Sequence, residues 1–131
     1  MSVGLIIAMT LRQWGHIDAC LDDDANVETV DGDPRRAELA RDIRGAGADQ
    51  LTRETPGVPG ARSWPPPDTI VRPKLTIAQW LLTIDVLESW AATCDRMGHH
   101  DTAARRREVR ELILARLRAH GVRPPGDGAN Q

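Results

Sequence analysis

The stretch CDRMGHHD, Cys94 to Asp101, decides how the chain folds. Gly98 can take the left-handed conformation that ends a helix, and Asp101 is a natural N-cap for the next one. With only His99 and His100 between them, so short a join predicts an antiparallel helical hairpin. A competing reading makes the stretch half of a split metal site. Cys94 and His99 would join His16 and Cys20, which lie one helical turn apart, in a Cys2His2 set of the kind that suits tetrahedral zinc. The spacing fits no standard zinc motif, and Cys94 already belongs to an apolar stripe. No metal and no cofactor are therefore expected.

Working upstream, LTIAQW (Leu75 to Trp80) carries a helix start: Thr76 as cap, Gln79 to complete a capping box, and Leu75 to pack on Trp80. Ile77, Trp80, Leu81, Ile84, Leu87, Ala91 and Cys94 then form a broad stripe, with Leu82, Val86 and Trp90 on a second face. This helix is expected to be covered on more than one side. Downstream, Val109, Leu112, Ile113 and Leu117 share one face of the last helix, which ends at Gly121 with Val122 as its apolar companion.

Further from the hairpin, Val3, Ile7, Thr10, Trp14, Ile17 and Leu21 alternate spacings of four and three, which predicts a helix over 3–21. The acidic run 22–33 lacks helical periodicity and reads as an exposed loop. It fails as a calcium loop, since Val27 stands where an EF-hand needs Gly and Asp33 where it needs Glu. Asp33 and Pro34 open a short helix that Gly45 should stop. Thr55 to Pro73 holds six prolines, which predicts an extended connection.

The expectation is an all-α protein of about four helices, read as one domain. It comprises an acidic N-terminal part (1–54), a Pro-rich arm (55–75), a helical hairpin (76–121) and a tail (122–131). A chain of 131 residues has length for one modest core, and four Trp with no Phe or Tyr make aromatic anchors scarce. The longest apolar run, Val3 to Met9, falls short of a membrane span. No leader is apparent, and two cysteines make no disulfide framework. The cytoplasm is the expected location, or a virion if the chain is phage-encoded; size and a nearly lysine-free, arginine-rich composition suggest the latter.

Residues 1–54 carry net charge −5 and 101–131 carry +3. Arg105, Arg106, Arg107 and Arg110 fall in the early turns of the last helix, where the macrodipole disfavours cations. They should meet either anions elsewhere or local partners, Asp101 for Arg105 and Glu111 for Arg107. Trp64, followed by three prolines, could dock in a partner's groove.

ELARDIRGAGADQLTRE (Glu38 to Glu54) resembles the helix-turn-helix of bacterial repressors, with Leu39 and Ala40 in the first helix, Gly45 in the turn and Leu51 to Arg53 on the recognition helix. The resemblance implies a small DNA-binding regulator. It requires one extra residue in the turn, and Pro56 shortens the second helix. No catalytic motif stands out. The leading expectation is a non-enzymatic interaction or assembly component, such as a small phage structural or accessory protein. Its partner would be protein, self or heteromeric, acting through Trp64 and Arg105, Arg106, Arg107 and Arg110, with nucleic acid the second choice.

Overall fold

The computed structural model describes residues 4–54 and 66–123. Its framework is an antiparallel ribbon between distant parts of the chain, β1 (Gly4–Ile6) with β4 (Lys74–Thr76) and β2 (Met9–Thr10) with β3 (Ile70–Val71). One register runs throughout, from Gly4 opposite Thr76 to Thr10 opposite Ile70. At its centre Ile7 N–H donates to the carbonyl of Pro73 at 3.3 Å. Proline has no N–H to return, which explains why the ladder divides there. Odd positions Ile7, Met9, Val71, Pro73 and Leu75 are buried, while Ile6, Ile70, Arg72 and Lys74 face outward. The helix expected over 3–21 therefore begins only after two strands. Residues 70–75, read as part of the arm, pair with them.

Each side of the ribbon launches a helical hairpin. Thr10 and Gln13 form a capping box at α1 (Leu11–Asp31), and Thr76 and Gln79 form another at α3 (Ile77–Arg96). The acidic run is helical through Asp31, not a loop, because its carboxylates have arginine partners on α2 (Pro34–Glu54). Asp24 is almost fully buried and pairs with Arg36 at 2.9 Å; Asp18 and Asp22 both meet Arg44. Asp33 caps α2 through Arg35 N–H, as its position suggested. Gly45 does not stop this helix. Gly47, on the buried face, lies where any Cβ would enter the Trp14 ring, so the small residues accommodate an aromatic rather than mark a turn.

The hairpin of α3 and α4 (His100–Ala119) forms as expected. Gly98 has φ +83, with His99 N–H bonded to Cys94 O and Gly98 N–H to Asp95 O, a Schellman closure. Gly121 repeats it at φ +78, and Val122 N–H reaches Leu117 O. The α4 cap falls on His99, two residues before Asp101, which instead supplies negative charge to the first turn. One apolar core takes residues from the ribbon and all four helices. No helix among the described residues is long and apolar enough to cross a membrane.

The two halves are versions of one unit. MTLRQW (Met9 to Trp14) and LTIAQW (Leu75 to Trp80) stand 66 positions apart, and the same offset pairs Ala37, Arg41, Arg44 and Leu51 with Ala103, Arg107, Arg110 and Leu117. It also superposes interactions. Arg44 to Asp22 answers Arg110 to Glu88, and Arg41 to Thr29 answers Arg107 to Asp95. Exchanging the halves maps the ribbon register onto itself about the Ile7 and Pro73 pair. The chain is thus a strand-helix-helix unit twice over, joined in pseudo-two-fold fashion.

Candidate functional site

The arginine cluster is divided by the folding of the hairpin. Arg107 bonds Glu88 at 3.2 Å and also Asp95, while Arg110 bonds Glu111 at 2.6 Å and lies 3.9 Å from Glu88. Arg106 Nη1 donates to Cys94 Sγ at 3.2 Å. These three bind within their own chain, and the carboxylates they meet come chiefly from α3. The local pairs expected, Asp101 with Arg105 and Arg107 with Glu111, do not form among the described ion pairs. Arg107, then His100, holds the Asp95 carboxyl below its usual range. Arg105 alone of the four is exposed and makes no ion pair with a described residue. Trp64 lies outside the described residues.

The possible metal set is not assembled: among the described residues no three His, Cys, Asp or Glu side chains are grouped to hold an ion. Cys20 is a core residue whose thiol is pushed up to about 12, chiefly by burial. Cys94 accepts from Arg106, and His99 is exposed at the hairpin turn.

What the fold does assemble is a cleft of about 290 Å³ between the start of α1 and α4, lined by Thr10, Arg12, Gln13, His16, Arg105, Glu108 and Val109. The capping box fixes Thr10 and Gln13. The α1 N–H groups of Leu11 and Arg12 are consumed by the carbonyls of Thr69 and Pro67, so the helix terminus itself is closed. Among the described residues the Arg12 guanidinium has one ion-pair partner, the exposed Asp68 at 3.0 Å. His16 is held below its ordinary pKa by burial first, then by Arg106, Arg105 and Arg12, with Glu108 opposing. The net effect favours the neutral imidazole.

The internal repeat shows which of these residues the architecture needs. At the equivalent positions of α3 and α2 stand Thr76, Gln79, Asp42 and Ile43, close matches to Thr10, Gln13, Glu108 and Val109. Arg12, His16 and Arg105, however, correspond to Ala78, Leu82 and Leu39. The three cleft residues that carry charge or a titratable proton are thus apolar at the equivalent positions of the other half. Sequence reading singled out Arg105 but missed Arg12 and the cleft; the shared T-x-x-Q-W at Thr10 and Thr76 was the signal that could have aligned the halves.

A second surface is the outward ribbon face. Ile6 is 53% and Ile70 50% exposed, next to the exposed Arg72 and Lys74. Gln50 closes the edge at Lys74, bonding both its N–H (2.6 Å) and its carbonyl (2.9 Å). No family model, curated protein or solved structure matches the chain.

Proposed function

We propose that the protein is a non-enzymatic interaction and assembly component, a small structural or accessory part of a phage particle, whose partner is a second copy of the chain. The observation that carries this reading is the outward ribbon face. Its helices cover the odd positions only, leaving half-exposed Ile6 and Ile70 beside two cations. An antiparallel sheet can leave one face to water, but β-branched residues flanked by cations suit a partner that is both apolar and acidic. The chain offers such a surface itself: Asp23, Glu38 and Asp42 are exposed on the first hairpin without ion pairs to described residues, and Leu39 is half exposed near them in sequence.

Light scattering on a sizing column at low and high salt tests the reading. The expected outcome is a discrete oligomer that weakens with salt and is lost in Ile6→Asp with Ile70→Asp. A monomer at every salt concentration removes self-assembly.

The second reading, a DNA-binding regulator, rests on the same ribbon rather than on a helix-turn-helix, whose turn is absent from the continuous α2. A two-stranded ribbon fits a major groove, and Arg72 and Lys74 face outward. Replacing both by Ala should then lower the salt slope of binding by about 2; no binding to any duplex rejects it.

A further inference from the structure

We propose that the cleft between α1 and α4 binds inorganic phosphate through Arg12, His16 and Arg105, with Glu108 selecting for a protonated oxyanion. The inference is independent of self-assembly. Three cationic or proton-carrying side chains from two helices converge on one cleft, where the other half of the repeat makes do with Ala78, Leu82 and Leu39. Folding therefore does not require them. Such convergence is costly without an anion, because like charges sharing a partly desolvated space repel. Arg105 has no ion pair among the described residues, and the bond between Arg12 and Asp68 is a solvent-exposed one, worth little. Both guanidiniums are available to a ligand, and arginine's planar fork matches phosphate oxygens.

Glu108 on the same wall would repel a fully ionised anion, and an acid, Asp42, stands at the equivalent position of the other half. With a ligand bound it would accept a hydrogen bond. Hydrogen phosphate carries a P–OH that can donate to Glu108 while its charged oxygens face the arginines. Sulfate at neutral pH has no proton to give, so it should bind more weakly. His16, whose neutral form is favoured by burial and the neighbouring arginines, gains a proton or donates its N–H when an anion offsets those arginines.

The full chain should be titrated with inorganic phosphate and, separately, with sulfate at constant ionic strength, following the His16 ring resonances by NMR and heat by calorimetry. The expected result is one saturable phosphate site that shifts His16 and binds sulfate at least tenfold more weakly. Arg105→Leu and His16→Leu, each installing the residue of the other half, should weaken phosphate at least tenfold without loss of folding. Glu108→Gln should narrow the preference over sulfate. The triple replacement Ala78→Arg, Leu82→His and Leu39→Arg should raise the stoichiometry toward two. Absence of a saturable His16 shift, or unchanged binding in a folded Arg105→Leu variant, overturns the site; equal binding of phosphate and sulfate overturns the role given to Glu108.

Discussion

The two hairpins share a frame and differ in what seals it. In the first, α2 carries three small residues, Ala46 and Gly47 against the core and Ala48 exposed beside them, and ion pairs join Asp18, Asp22 and Asp24 of α1 to Arg44 and Arg36. In the second, the same positions are Leu112, Ile113 and Leu114, with Ile84 and Trp90 in place of Asp18 and Asp24. Thr102 replaces Arg36. Both copies thus keep interhelical ion pairs, Arg44 to Asp22 in one and Arg107 and Arg110 to Glu88 in the other, but the second adds apolar volume where the first adds the further pairs of Asp18 and Asp24. The two solutions should respond differently to truncation, acid and salt.

The largest effect should come from reversing the volume difference. Ile113 is fully buried, and Ile113→Ala should cost about 2–5 kcal/mol through lost transfer energy and a residual cavity. At the equivalent position Gly47→Ala makes the opposite error. Its new methyl would enter the Trp14 ring, an overpacking of roughly 1–3 kcal/mol that the ~1 kcal/mol gain in helix propensity only partly offsets. Denaturant unfolding checks both. A neutral Ile113→Ala would show that the second hairpin is not held by its core.

Next in size is the charged seam. Arg36→Ala leaves Asp24, whose side chain is only 7% exposed, without its principal partner. Full burial would make this about 3–5 kcal/mol. Since Arg36 is 28% exposed and Asp24 can gain water when it is removed, about 2–3 kcal/mol is expected. Thr102→Ala, its counterpart, should cost well under half of that. Equal losses at the two positions would mean that the ion pair adds nothing the apolar seam lacks.

How much of this could be read from the chain follows the range of the interactions. Thr76 with Gln79, Asp33 with Pro34, and Gly98 and Gly121 each act within one turn, and each does what its local chemistry implies. The strands were hidden because Leu5, Ile7 and Met9 alternate within a continuous apolar run that equally satisfies helical spacing, and the partner segment lies more than sixty positions away. The acidic run read as a loop for the same reason. Its helix is underwritten by Arg36 and Arg44 on another element. In the arginine cluster composition singled out a segment, but only the placement of Glu88 and Asp95 on α3 leaves Arg105 exposed and without an ion pair among the described residues.

A smaller contrast lies at the two hairpin turns. Gly98 sits at φ +83, where a side chain is strained by about 1–2 kcal/mol, so Gly98→Ala should lose roughly that amount. Its counterpart Gly32 ends α1 at φ −132. A methyl there would meet the flexible end of Glu28, whose carboxylate accepts from Asp33 N–H at 2.6 Å. Gly32→Ala should therefore cost about one exposed hydrogen bond, ~0.5 kcal/mol. A thermal melt of each variant separates the two cases, and a larger loss at Gly32 would show that the first turn, not the second, is the constrained one.

The smallest effects are two pH dependences, one in each half. In the unfolded chain His16 titrates near 6.5; folding lowers that value, through burial and then through Arg106, Arg105 and Arg12. Between the two values the unfolded state holds a proton that the folded state does not. Stability therefore falls as pH drops through 6.5 and levels off below the folded pKa. Leu82, at the same place in the other half, has nothing to titrate. His16→Leu should flatten the stability profile in this window. Asp95 acts in a separate range: Arg107 lowers its pKa, so its contribution is present above the ordinary carboxylate value and disappears only on further acidification. Arg107→Ala should alter that lower limb and leave the upper one unchanged. Unfolding curves across both ranges, for wild type and the two variants, distinguish these sources. Parallel profiles for wild type and His16→Leu would show that the imidazole is not set apart by its three arginines, and would weaken the case for an anion between them.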